Sequence, residues 1–458
     1  MEQMDFSNSM EKILTYGGLS EGDKKKVMTS INTFAAMEDQ FSSDDNVRKI
    51  RRELNNYFYE IYKVVFFKTL EDDQIPPEIM MFLYFGYIDE TLAGKENTEL
   101  LYLASKAIGL DEEMRIFTFY QWLRLVYTGK KDPSVNEFSV DYITDLRKKR
   151  REGSITEAQE QALLHDGKKR VIFEVDSMFK NGNRMMSDRI TTFVPFFCGQ
   201  ALSKPLEKSI LNFDIIHKTL NVIKAIDFSL FYRQTVYAAP ELGLDKAFIQ
   251  VEILPDIILM PCIGARGAMW QEITGAKRTT PGRFLLPIGQ EEELSKIMIN
   301  LCAEFRWELC KRIQGARWND LSERSLTSDY VDYIDTYKKN HELSQEAKDR
   351  VKAAMAKHRN SYKEMFVADY GTYIQYESSG AIRHNKVVRM ILFNYCPFSK
   401  VVREGAIATN PQYTQLIERY KNKNAHEIHL FDIATGRIEK VGNQIPEELQ
   451  KHAEFLRL

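Results

Sequence analysis

Several absences narrow the reading before any residue is singled out. The 458 residues hold no H-E-x-x-H, no phosphate loop ending in G-K-[ST] and no G-x-G-x-x-G, so zinc-peptidase, nucleoside-triphosphatase and dinucleotide sites have no local support. Only five cysteines occur, Cys198, Cys262, Cys302, Cys310 and Cys396. Their number is odd and no two are spaced as C-x-x-C. A chain this long needs no disulfide staples, which points to a reducing, cytoplasmic setting. Apolar runs are short: Met80–Ile88 is about half of the roughly 20 residues that a membrane span needs. The stretch from Met1 to Met10 is too polar for a secretory leader. An excess of one charge is missing too. With 63 Lys plus Arg against 65 Asp plus Glu, the net charge is -2, which removes the positive field that an extended nucleic-acid partner needs. There is no internal repeat of constant period and no low-complexity linker.

What is present describes a globular chain, 44% hydrophobic and 12% aromatic, whose length implies two to four domains. Charge divides it unevenly. Residues 1–146 hold 16 Lys plus Arg and 26 Asp plus Glu, a balance of 16 - 26 = -10, so the remainder carries +8. The sign changes at Arg147-Lys148-Lys149-Arg150-Arg151. This run reads as a solvated helix end whose cations face the helix C-terminus and the acidic first domain, with a nucleic-acid or acidic-lipid patch as the other reading.

The first third reads as consecutive helices. Ser20 caps one that runs to about Gln40, and Ser43-Asp44-Asp45 opens another, in which Ile50, Leu54, Tyr57, Phe58, Ile61, Tyr62 and Val65 form one apolar stripe. Further helices are expected over Glu78–Leu92, Glu112–Tyr127 and Thr156 to about Asn181. The pattern then changes. Phe248–Ile253 alternates as a half-buried strand does, and Asp256–Cys262 is a short continuous apolar run, as in a strand buried on both faces. From Leu294 to Ile313 the most regular helical stripe of the chain follows, with Leu301, Cys302 and Phe305 on it. Ser344 caps a long helix or a broken pair reaching about Tyr376. His426–Asp432 and Arg437–Val441 read as a hairpin around Ala434-Thr435-Gly436, and a terminal helix starts at Pro446.

The expected fold is α+β and predominantly α-helical. It comprises an acidic all-helical bundle over residues 1–150, a mixed α/β domain over 151–330 with strands near 248–262, and a helical extension over 331–458 ending in the hairpin and terminal helix.

One stretch stands out as a candidate site. A buried strand runs into Gly264-Ala265-Arg266-Gly267, followed by Trp270-Gln271-Glu272 and then by Lys277, Arg278 and Arg283. Glycines let backbone amides approach an anion, and guanidinium forks grip phosphate or carboxylate bidentately, so Gly264, Arg266, Gly267, Arg278 and Arg283 are the candidate ligand-binding residues. The structural reading of the same stretch pairs Arg266 with Asp256 or Glu272. Glu252, Asp256 and Glu272 also form a possible acid-base trio. His384, with Arg383 and Arg389, is a further candidate anion site or else a solvated helix start. His426 and His429 fall on opposite faces of the expected strand and so do not converge on a metal. The tyrosines from Tyr330 to Tyr376 read as half-buried helix flanks, with base stacking as the alternative. No catalytic residue, metal or cofactor is assigned. The resulting expectation is a cytoplasmic regulatory, signalling or scaffolding protein that acts through a protein partner. A sensor or enzyme binding a phosphate- or carboxylate-bearing small molecule at the 264–283 loop is the alternative.

Overall fold

The computed structural model describes residues 6–40, 42, 44–72, 74–133, 142–187, 193–194, 196–197, 204–269 and 282–458. The fold is α+β and mostly helical. Nine short strands occur among the described residues: β1 Tyr87–Ile88, β2 Ile116–Thr118, β3 Phe193–Val194, β4 Phe196–Phe197, β5 Tyr232–Ala239, β6 Leu244–Glu252, β7 Asp256–Gly264, β8 Ala268–Met269 and β9 Arg283–Gln290. No helix among the described residues is long and apolar enough to cross a membrane.

The chain folds into two compact units that do not follow sequence blocks. One takes in Met1–His217, Pro255–Glu272 and Gly282–Ile297; the other takes in Lys218–Leu254, Ile273–Pro281 and Met298–Leu458. In the first unit β7 is the central strand, paired in parallel with β2 on one side and β9 on the other. β3 and β8 add antiparallel edges to β7 and β9. All nine residues of β7 and all eight of β9 are buried, which explains why both read as continuous apolar runs rather than alternating ones. Parallel pairing with β2, drawn from the first third of the chain, is what carries the later strands back to the N-terminal helices.

The helix Asp45–Lys68 is capped by the Asp44 carboxylate, which accepts from the N–H groups of Asn46 and Val47, and of its stripe it buries Leu54, Phe58, Ile61, Tyr62 and Val65 while Ile50 and Tyr57 are half-buried. Phe58 packs against Tyr62, Phe82 and Tyr87 at ring distances of 5.3–5.4 Å. Two expected helices of this region are shorter than their apolar runs. Gly86, at φ 92°, ends the helix Pro77–Phe85 before β1. Thr118 and Gln121 form a capping box that starts the next helix only at Phe119, after β2. The first 150 residues are therefore not all-helical.

In the second unit β5 and β6 form an antiparallel ribbon. Its inner face, with Ile249 at the centre and Tyr237, Leu244 and Val251 around it, packs on Ile438 and Leu449. The helix Leu294–Gln314 buries Leu301, Cys302 and Phe305, with Phe305 edge-on to Phe231 at 5.4 Å. Helices Gln345–Lys357, capped by Ser344, and Tyr362–Gln375 are the broken pair, and Tyr330, Tyr333, Tyr337, Tyr370 and Tyr373 are buried between helices rather than displayed for stacking.

The hairpin expected over 426–441 is instead part of one helix, Thr414–Lys440. Ile417, Thr435 and Ile438 are its buried face, and the Thr435 hydroxyl donates to the Phe431 carbonyl one turn back. Burial of that face outweighs the roughly 1 kcal/mol that Gly436 costs inside a helix. The terminal helix Glu447–Arg457 follows Pro446 as expected.

Candidate functional site

The described residues of the candidate loop have different surroundings. Gly264 closes β7, where it pairs with Gln290 at the end of β9, and Arg266 follows it at an exposed position beside Gly267. Arg283 opens β9 opposite Asp256 at the start of β7. Arg266 lies in the turn between β7 and β8, and β8 runs back along β9, pairing Ala268 with Leu285 and Met269 with Phe284, toward the end of β9 that carries Arg283. Arg278, Lys277, Trp270 and Glu272 lie outside the described residues.

Arg283 is spent on the protein itself. It is buried, its Nη1 donates to Glu174 at 3.0 Å and its Nη2 to the Asp132 carbonyl at 2.7 Å, and the guanidinium lies 4.5 Å over the Trp122 ring. Trp122 Nε1 donates to the same Glu174 oxygen at 2.6 Å. Asp256, also buried, is bridged by Arg115 at 2.8 Å and Lys131 at 3.1 Å rather than by Arg266. Glu252 pairs with Lys224 at 2.8 Å. In the first unit, the end of the sheet that holds Asp256 and Arg283 is a compensated ion network, in which these buried charges face counter-charges as burial demands. Within the basic run 147–151, Lys149 pairs with Asp145 at 2.7 Å and Arg150 with Glu160 at 3.0 Å. Gly18-Leu19-Ser20-Glu21-Gly22 matches the G-x-S-x-G pattern of a nucleophile elbow, but a helix precedes it and Ser20 caps the helix Glu21–Ala35, accepting from Asp23 N–H.

The second unit holds two buried clusters. Arg306 donates to Asp227 at 3.1 Å, to the Ser229 carbonyl at 2.7 Å and to the Cys396 sulfur at 3.0 Å, while Tyr370 donates to Asp227 at 2.8 Å. Burial pushes the Cys396 thiol up to about 12, against the pull of Arg306, so it is a neutral packing group and not a nucleophile.

The other cluster surrounds Glu377, and here the sequence pointed to the right residues with the wrong partner. His384 is not solvated; its side chain is 6% exposed. The anion that His384 and Arg389 hold is the protein's own carboxylate. Glu377 Oε1 accepts the N–H groups of Arg383 and His384 at 2.9 and 2.7 Å, and Oε2 accepts from Arg389 Nε at 3.3 Å and from the Tyr413 hydroxyl. Gly380, at φ 89°, turns the chain back so that these amides reach it. His384 Nδ1 stands 3.1 Å from Glu377 and Nε2 3.6 Å from Asp369, neither aligned as a full hydrogen bond, so the imidazole is gripped by charge. Burial opposes the imidazolium, but the two carboxylates outweigh it and raise the His384 pKa to about 9. Burial likewise opposes the Glu377 carboxylate, and its donors hold it at about 2.

One side of the Thr414–Lys440 helix points away from all of this. Arg419, Lys423, His426, Leu430, Ile433, Arg437 and Lys440 recur at alternating steps of four and three residues, and each is exposed. Leu430 is 53% and Ile433 43% exposed, at the middle of the stripe, with cations at both ends and no acidic residue on it. His426 and His429 share this helix, contrary to the strand expectation. Among the described residues no group of three His, Cys, Asp or Glu is placed to hold a metal ion. The stripe was hidden by the hairpin reading; its signal was the 3.5-residue spacing itself.

A family model described as a domain of unknown function, DUF8509, matches residues 315–455, a segment that contains both the Glu377 cluster and this helix. No curated protein and no solved structure matches the chain.

Proposed function

We propose that the protein is a non-catalytic regulatory or scaffolding protein of the cytoplasm that acts by binding a protein partner. The observation that carries this reading is the exposed stripe of the Thr414–Lys440 helix. An isolated surface helix normally turns its apolar residues inward, and this one does so with Ile417 and Ile438 while also displaying Leu430 and Ile433 on the far side. An apolar centre rimmed by charge is the arrangement of a protein-binding patch. The buried charge clusters support the same reading, since Arg283, Arg306 and Arg389 are held by internal acceptors. The described cysteines Cys262, Cys302, Cys310 and Cys396 are free thiols, which suits a reducing compartment.

The test compares the full chain with a Leu430→Asp, Ile433→Asp double variant as bait in an extract of the source cells. Both positions are exposed, so the variant folds. A partner retained by the parent and lost from the variant is the expected result; identical sets retained by both would overturn the reading.

A further inference from the structure

The β5–β6 ribbon carries a second, independent surface. Ile253 N–H donates to the Phe231 carbonyl at 2.8 Å, one step beyond the Tyr232–Glu252 pair. In an antiparallel ladder, hydrogen-bonded and non-hydrogen-bonded pairs alternate. Arg233–Val251, Thr235–Ile249 and Tyr237–Ala247 are therefore the bonded pairs. Gln234–Gln250 and Val236–Phe248 turn their backbone groups outward. The β6 side agrees, because Gln250 N–H leaves the ribbon and donates to His452 Nδ1 on the terminal helix at 3.1 Å. The β5 side is different. Gln234 and Val236 are exposed, Val236 at 55%, and among the described residues no strand pairs with that edge.

Exposed edges are usually guarded by charged side chains, prolines or bulges. Along Gln234-Thr235-Val236-Tyr237-Ala238-Ala239 there is no charge, Arg233, the single charged residue of β5, is buried, and the register shift between Tyr237 and Ala239 and the proline at 240 fall at the end of the strand, beyond Val236. A charged partner strand finds nothing to pair with here. A second copy does, because a two-fold axis sets identical strands antiparallel, and any Lys or Glu near the axis would repel its own image. We propose that β5 pairs with β5 of a second copy of this chain, antiparallel about Thr235. Gln234 of each copy then exchanges both main-chain hydrogen bonds with Val236 of the other. The two ribbons become one four-stranded sheet, in which the exposed row Phe248–Val236 of each copy continues into Gln234 and Gln250 of the other.

The test measures the mass of the full chain by sedimentation over ~1–100 µM, the range in which a modest interface populates. The parent reaches twice the chain mass at the upper end. Val236→Pro removes an N–H that points away from β6, so the ribbon survives while self-association weakens at least tenfold. Gln234→Lys, which places a charge on each side of the axis, does the same and serves if the proline variant does not fold. Under mild oxidation Thr235→Cys links to its twin faster than Ala238→Cys. A parent that stays monomeric over the whole range overturns the proposal. So does a dimer that the folded Val236→Pro and Gln234→Lys variants both leave unchanged, or equal linking by the two cysteine variants.

Discussion

Replacing Glu377 by Gln tests the buried cluster of the second unit. The substitution keeps the shape, and the amide oxygen still accepts from the N–H groups of Arg383 and His384, but Arg389 loses its counter-charge and His384 keeps only that of Asp369. Breaking a buried ion pair costs about 3–5 kcal/mol, and the retained backbone bonds place the expected loss near the lower value. The pH dependence gives a second reading of the same interaction. The His384 pKa rises from 6.5 unfolded to about 9 folded. At about 1.4 kcal/mol per pH unit the gap corresponds to about 3 kcal/mol, a figure that overlaps the first and does not add to it. The folded value lies above the unfolded one, so this stability is whole below pH 6.5 and is lost as pH rises through about 9. Glu377 has the opposite sign: its stability is present above its ordinary 4.5 and is lost as pH falls to about 2. Urea denaturation of parent and Glu377→Gln at half-unit steps from pH 5 to 9.5 gives both quantities. The parent midpoint should fall between pH 6.5 and 9, and the variant should start lower and stay flatter. Parallel curves for the two proteins would refute the placement of His384 against Glu377.

Three further outcomes are expected. Phe305→Ala, in the buried stripe of Leu294–Gln314, costs about 3–5 kcal/mol, whereas Glu292→Ala, at an exposed position before it, is close to neutral; equal denaturation midpoints would contradict the packing. Arg283→Ala leaves Glu174 buried without its cation and lowers stability by about 3–5 kcal/mol, while Arg266→Ala, exposed, changes it by about 0.5 kcal/mol or less. Thermal melts of both against a panel of nucleotides and phosphorylated metabolites also show whether Arg266 meets an anion. Gly436→Ala meets no atom within 4 Å and sits inside a helix, so it raises stability by about 0.5–1 kcal/mol; a loss would favour a turn at that glycine.

By itself the sequence determined whatever depends on a few neighbouring residues. Ser20 and Ser344 cap helices because a side-chain oxygen two or three residues away satisfies an orphan N–H. The stripe through Leu301 and Phe305 and the alternation of Ile249 with exposed Phe248 follow from the periods of helix and strand. The run Asp256–Cys262 announced a strand covered on both faces, and it is the centre of the sheet. The same local logic failed at 426–441, where strand-like β-branched residues and a glycine lay on a surface whose packing against the β5–β6 ribbon favoured a helix.

Only the tertiary structure decided which charges meet. Arg283 finds Glu174 109 positions earlier, and Arg306 finds Asp227 79 positions earlier, because the folded backbone brings them together and desolvation then makes pairing obligatory. Arg283 is buried at the start of β9 while Arg266 is exposed in the turn before β8, a difference in surroundings that their nearness in the sequence does not show. The open edge of β5 is of the same kind: its lack of charge is written in the residues, but that its backbone groups face outward follows only from the register with β6.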